Sequence, residues 1–306
     1  MSASATSSIN RTTVRLSALP LIRAWFGVAS RILPGVARRQ AESWFTRPPR
    51  YAGRRIHPVA ARRETVISGN DRIAVWQAGP ANAPAVLLAH GWGGSSVQMG
   101  SFVTPLLASG FRVVWFDQPG HGESGTGPVG LPDFVRVTEA LAATHGPFAA
   151  AIGHSLGAAA LGLALRRGLA LERVVFIASP ASMVEHAHNF ARLLGITPRI
   201  REAMRRRLEG RYGVRFADID RIEELAALQV PALFIHDSGD AEVPFEHAQR
   251  LSERMPGARL LRTHGLGHYR ILRDAAAVRA VVAFASGDNA PLPADLPLLP
   301  RPAPLY

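Results

Sequence analysis

The sequence predicts an α/β fold: a mostly parallel eight-stranded sheet with helices on both faces. Three observations predict it. Short apolar runs alternate with segments of helical spacing along most of the 306 residues, as in a parallel sheet covered on both sides. The apolar run 148–152 passes through Gly153-His154-Ser155-Leu156-Gly157 straight into the helix-forming run 158–165. A hydrophobic share of 47% supplies a large core.

The elements follow in order. Residues 64–68 and 72–77 flank Gly69-Asn70 and read as a hairpin. The run 85–89 is a short buried strand, 103–109 a helix and 111–116 the next strand. Residues 131–144 are helical, and the strand and helix around Ser155 follow them. Further strands are expected at 174–178, 232–236 and 259–262, with a closing helix at 274–284. Between 178 and 230 there is no strand signal, only helical spacing at 186–194, 198–208 and 219–228. An insertion of that size after the sixth strand reads as a helical cap over the carboxyl ends of the strands. The expected organisation is a basic amphipathic extension over 1–58, a core over 59–180 and 229–286, a cap over 181–228, and a Pro-rich, extended tail over 287–306.

Charge is unevenly placed. The first 63 residues hold twelve arginines against the single acid Glu42, so nearly all of the net charge of +12 sits there. All 35 basic residues are arginine, which a GC-rich genome explains. The rest of the chain shows no basic stripe interleaved with stacking aromatics, and nucleic acid is not an expected partner. Cysteine is absent, which excludes a disulfide framework, a thiolate nucleophile and a cysteine metal site, and fits a reducing compartment.

Within the extension the first residues are Ser/Thr/Ala-rich, with disorder expected at their start. From 19 to about 45, Leu21, Ile22, Trp25, Phe26, Ala29, Ile32, Leu33 and Val36 recur at three- and four-residue spacing. Arg23, Arg31, Arg38 and Arg39 fall largely between them, and Pro34-Gly35 breaks the run into two helices. Arg23 and Arg31 make it a poor membrane span, and it lacks the continuous apolar region of a secretory signal. Its apolar face either packs on the body or cap, which is the expectation, or lies in an anionic membrane interface, for which Trp25, Phe26 and Trp44 are suited. The expected location is cytoplasmic, with peripheral membrane contact as the alternative. Arg47-Pro48-Pro49-Arg50 reads as a stiff linker.

The chemistry centres on Ser155. G-x-S-x-G arises by chance in a chain with 28 glycines, but a strand before it and a helix after it are the setting of a nucleophile elbow. A serine hydroxyl needs a base, best a histidine, and a carboxylate to fix that histidine's tautomer. Asp240 lies just beyond the strand at 232–236 and His268 just beyond that at 259–262. Asp237 competes with Asp240 but is better placed to shape its turn. His264 competes with His268, which follows a glycine in a free loop. His236 and His247 read as packing or surface residues. The Gly-rich His90-Gly91-Trp92-Gly93-Gly94 after a strand offers the Trp92 amide, with that of Leu156, to a developing oxyanion. His90 is expected to brace that loop.

From about Val59 to Phe284 the chain resembles the α/β-hydrolase superfamily. The resemblance rests on His90-Gly91-Trp92-Gly93-Gly94, the loop from Asp117 to Ser124, Gly153-His154-Ser155-Leu156-Gly157, Asp240-Ala241-Glu242-Val243-Pro244 and Gly267-His268, in that order. It implies a serine hydrolase with Ser155 as nucleophile, His268 as base, Asp240 as its orienting acid and the Trp92 and Leu156 amides as oxyanion hole. It implies neither metal nor organic cofactor, and a serine at 155 excludes relatives that use an aspartate nucleophile. A small-molecule carboxylic ester is the expected substrate. A thioesterase, an acyltransferase or a non-catalytic ligand-binding module on the same fold are the alternatives. Trp92, Met99, Met183 and Phe190 are expected to line the substrate pocket. The cap arginines Arg199, Arg201, Arg205, Arg206, Arg207 and Arg211 are expected to form a solvated face paired with Glu202 and Glu209, rather than to read an acidic substrate or surface.

Overall fold

A computed structural model describes residues 18–53, 56–288 and 295–296. The expectations for the start of the extension and for most of the Pro-rich tail lie outside these residues. The sheet has eight strands: β1 (Arg62–Ser68), β2 (Asp71–Ala78), β3 (Ala85–Ala89), β4 (Arg112–Phe116), β5 (Phe148–His154), β6 (Leu171–Ile177), β7 (Ala232–Asp237) and β8 (Arg259–Thr263). Their spatial order is β1-β2-β4-β3-β5-β6-β7-β8. β1 and β2 form the antiparallel hairpin, β2 pairs antiparallel with β4, and every later pairing is parallel.

The strand residues alternate between two cores, as a period of two demands. β3 sends Val86 and Leu88 to one face and Ala85, Leu87 and Ala89 to the other. The first face is covered by α3 (Gly100–Ala108) and α11 (Ala275–Ala285) through Phe102, Leu106, Val278 and Val281. The second is covered by α4 (Leu131–His145), α5 (Leu156–Arg166) and α9 (Glu246–Arg254) through Leu141, Leu161 and Leu251. Aligned parallel strands put all their carboxyl ends on one rim, and the loops there carry the chemistry.

A third apolar cluster lies above that rim. The cap holds α6 (Met183–Leu194), α7 (Pro198–Tyr212) and the short α8 (Phe216–Ile219). The third expected cap helix, 219–228, is instead this short α8 and a 3-10 turn, Ile222–Ala227. Asp220 breaks it: its carboxylate turns away to accept from Ser182 Oγ and the Met183 amide, both at 2.6 Å, capping the start of α6. The extension forms α1 (Leu19–Ile32) and α2 (Pro34–Thr46), with Pro34 opening α2. α1 packs along α6 and α2 along α7. Phe26, Ala37 and Ala41 are fully buried among Ala187, Ala191, Met204 and Leu208 of the cap. Burying Phe26 contributes about 2 kcal/mol, and the Trp25 and Trp44 rings meet its edge at 4.7 and 5.6 Å. The Val129 amide donates to Thr46 O at 2.7 Å, tying the end of α2 to the core.

Candidate active site

Ser155 sits where β5 stops and α5 starts, with φ 52° and ψ −123°, a conformation that side-chain-bearing residues rarely adopt. Its own amide donates to Ile177 O at 2.8 Å, which pins the turn to β6. The flanking glycines are required by contact. A Cβ on Gly153 would stand 2.6 Å from Ala158 Cα, and one on Gly157 2.5 Å from His90 O. Gly91 brings the next loop against the serine, since a Cβ there would lie 2.7 Å from Ser155 Cβ. Neither the Trp92 nor the Leu156 amide donates to another group among the described residues.

Two loops are locked together beneath this point. His90 donates from Nδ1 to Gly91 O at 2.7 Å and accepts the Gln118 amide on Nε2 at 2.9 Å, so it braces the loop. Asp117 accepts from Ser95 Oγ and from the amides of Ser96 and Glu123. Burial works against its charge, but His90 and those donors hold its carboxyl below the ordinary value. His121 accepts the Gly93 amide at 3.0 Å. Burial and the neighbouring His90 push its pKa down to about 3, so it is neutral at physiological pH.

Asp240 and His268 are brought together. Asp240 Oδ2 is 2.7 Å from His268 Nδ1, while Oδ1 accepts the Glu242 and Val243 amides. Burial opposes ionisation of Asp240, yet hydrogen bonds from His236 and His268 outweigh it and hold the carboxyl far below the carboxylate range. The competing residues have other duties. Asp237 accepts from the Gly239 and Leu266 amides and from Thr263 Oγ1, shaping both turns. His264 bonds Ser238 Oγ and Asp295 at the surface.

Three residues escaped the sequence reading. His154, beside the serine, donates from Nε2 to His268 O at 2.9 Å, and the two rings lie 4.7 Å apart. Burial keeps it neutral, reinforced by His268. It therefore couples the β5 turn to the histidine loop. His236 donates to Val243 O at 2.8 Å and lies 3.4 Å from Asp240 Oδ2, behind the carboxylate. Glu242 Oε2 is 3.8 Å from His268 Nε2 and accepts from Tyr269 at 3.0 Å. The sequence signal for each was proximity to a singled-out residue, but side-chain direction in a turn is not encoded by spacing.

Ser155 opens into an apolar cavity of about 70 Å³, with Trp92, Leu156, Met183, Phe216 and Val243 among its walls. Trp92 and Met183 are thus placed where the sequence suggested. Met99 is not: it is fully buried against the sheet with Phe102 and Leu106. Phe190 stands behind the wall, its ring 5.1 Å from Phe45, and Phe45 itself lines the cavity with Thr46. The extension therefore supplies part of the cavity wall, and Phe45 of α2 packs against the Phe190 ring. The cap arginines also divide. Arg205 pairs with Glu202 and Glu209 as expected, whereas Arg206, Arg207 and Arg211 border a groove against α2.

A sequence profile described as the alpha/beta hydrolase family matches residues 86–281. A pimeloyl-[acyl-carrier protein] methyl ester esterase of Aromatoleum aromaticum is 29% identical over 233 residues, 61% of this chain and 92% of its own length. A putative carbamate hydrolase of Variovorax paradoxus is 29% identical over 265 residues, covering 70% and 96%. Among solved structures, an esterase of Pyrococcus furiosus superposes with a TM-score of 0.60 at 19% identity, covering 78% of this chain and 97% of that one.

Proposed function

The chain belongs to the alpha/beta hydrolase family, and from that premise we propose that it hydrolyses carboxylic esters of short acyl chains through an acyl-enzyme on Ser155. The observations that carry this reading are the strained serine lining an apolar cavity and the bonded Asp240–His268 pair, which His154, next to the serine in the chain, ties to the end of β5. In the proposed reaction His268 Nε2 takes the Ser155 proton as Oγ bonds to the carbonyl carbon. The carbonyl oxygen, now an oxyanion, accepts from the Trp92 and Leu156 amides, supported by the N-terminus of α5. Collapse breaks the ester bond, and His268 returns the proton to the leaving alcohol. Water then repeats the sequence on the acyl-enzyme, releasing the acid and restoring Ser155. Asp240 holds the Nδ1–H tautomer throughout, and His154 fixes the backbone of the base. A cavity of about 70 Å³ accommodates an acyl group of a few carbons, which is the basis of the proposed short-chain preference.

The test is labelling with a fluorophosphonate probe beside turnover of p-nitrophenyl esters of graded length. Stoichiometric labelling lost in Ser155→Ala, with acetate and butyrate turned over at least ten-fold faster than decanoate, is the expected result. Labelling that persists in Ser155→Ala would remove Ser155 from the chemistry.

A further inference from the structure

Large apolar side chains facing solvent are concentrated in one place. Among the described residues eight are exposed, and Leu21, Trp25, Val28, Ile32, Leu33 and Val36 account for all but two of them. At ~100° per residue, Leu21, Trp25, Val28 and Ile32 fall within roughly 60° of arc on α1. Another side of the same helix, with Phe26 and Ala29, is already buried against the cap. α1 is thus apolar on two faces and uses only one of them within the described chain, which marks the other as a contact surface.

The charge beside this ridge has a single sign. α1 carries no acid, and Arg31 flanks the ridge, whereas Arg23 lies on the opposite side and donates to the Arg192 and Leu193 carbonyls. An open groove of about 930 Å³ between α2 and α7 is bordered by Arg38, Arg39, Arg47, Arg206, Arg207 and Arg211. Glu42 is the one acid lining it, and it is engaged by both Arg38 and Arg207. Val36 and Arg39 are one turn apart on α2, so the ridge runs into the groove as one continuous surface.

We propose that this surface docks the protein on an anionic lipid bilayer, the α1 ridge entering the acyl boundary and the groove arginines taking headgroup phosphates. An apolar stripe supplies the burial and flanking arginines the attraction, the combination that holds an interfacial helix in place. Self-association is disfavoured by the same charges. Pairing two ridges would bring Arg31 of both copies together with no carboxylate on either α1. Of the residues named in the alternative membrane reading, Trp25 faces outward, whereas Phe26 and Trp44 pack inward as the packing expectation has it, and the rest of the outer face belongs to Leu21, Val28 and Ile32. No helix among the described residues is long and apolar enough to cross a membrane, so the contact is peripheral.

The test uses the full chain with vesicles of phosphatidylcholine alone or mixed with phosphatidylglycerol, read by co-sedimentation. Binding at least ten-fold tighter to the anionic vesicles, weakened by 0.5 M salt, is expected. The variant Leu21→Gln/Val28→Gln/Ile32→Gln should lose at least ten-fold in vesicle binding while keeping its melting temperature and its labelling by the fluorophosphonate. Arg39→Glu/Arg206→Glu should lose the preference for anionic vesicles. Equal binding by wild type and both variants overturns the proposal. So does a dimer that the triple glutamine variant abolishes while no vesicle binds, which would assign the ridge to a second copy. Neither readout depends on ester turnover, so failure here and failure of the esterase reading are separable.

Discussion

The loop-bearing rim of the sheet and the helical roof above it are built on opposite principles. In the rim, each reactive or bracing group is fixed by several short polar contacts: Asp117 by three donors, Asp237 by three, Asp240 by two amides and His268. In the roof, α1, α2, α6 and α7 meet through small and aromatic apolar residues, and polar contacts lie at its edges. Directional contacts fix atoms for chemistry. Apolar helix packing fixes a volume and leaves the outer faces free to vary. On the proposed esterase and membrane readings, the rim decides whether substrate is cleaved, and the roof which substrate is cleaved and where the protein docks.

The comparison breaks most visibly at Asp240. Asp240→Asn is expected to lower turnover by roughly 10³-fold with little change in KM, because the tautomer held for His268 is lost while the cavity is not. Asp237→Asn, one turn away, should instead lower the melting temperature at near-normal turnover. Similar losses of turnover in both would mean the rim does not separate chemistry from scaffolding. In the roof, Phe26→Ala should cost about 3 kcal/mol in urea unfolding and raise KM, while Ser155 still reacts with a fluorophosphonate. Phe45→Ala should shift preference toward longer esters by up to about ten-fold, read as the ratio of kcat/KM for octanoate and butyrate. No shift would remove α2 from specificity.

The smallest effect is on pH. His121 is buried and its folded pKa, about 3, lies below the ordinary 6.5. Between those values the unfolded chain binds the extra proton, so His121 makes stability rise with pH, in the same direction as the other buried histidines held below 6.5, His154 and His186 among them. Asp240, depressed in the folded state, adds stability above the ordinary carboxylate pKa that is lost as pH falls through its folded value. Urea midpoints at pH 7, 6 and 5 measure the slope, and His121→Gln should flatten it.

The same division explains what was legible in the sequence. All eight strands are legible: β1 and β2 as a hairpin across Gly69-Asn70, the other six as short apolar runs between breakers, whose parallel pairing follows from the helices between them. The sequence favours Asp240 over Asp237 because the segment at Val243-Pro244 starts a new helix and leaves Asp240 in the loop, and His268 over His264 because it follows a glycine. The structure pairs Asp240 with His268 and gives Asp237 and His264 other partners. Side-chain direction is not legible. Met99 and Phe190 suit a pocket by type, but type does not say whether a side chain points down into the sheet, as Met99 does, or stands behind another ring, as Phe190 does. The helix expected at 219–228 dissolved because Asp220 caps a neighbour across the chain. Phe45 and Thr46 could not be assigned to the cavity from a segment that reads as a separate leader, since the contact joins positions more than a hundred residues apart.

The bond from the Val129 amide to Thr46 O has a practical consequence. A protein shortened to residues 86–281, which the family profile matches, would keep Ser155 and lose the part of its chamber wall that Phe45 and Thr46 supply. Should the proposed chemistry hold, substrate profiles measured on such a fragment would describe a wider and wetter chamber than that of the full chain.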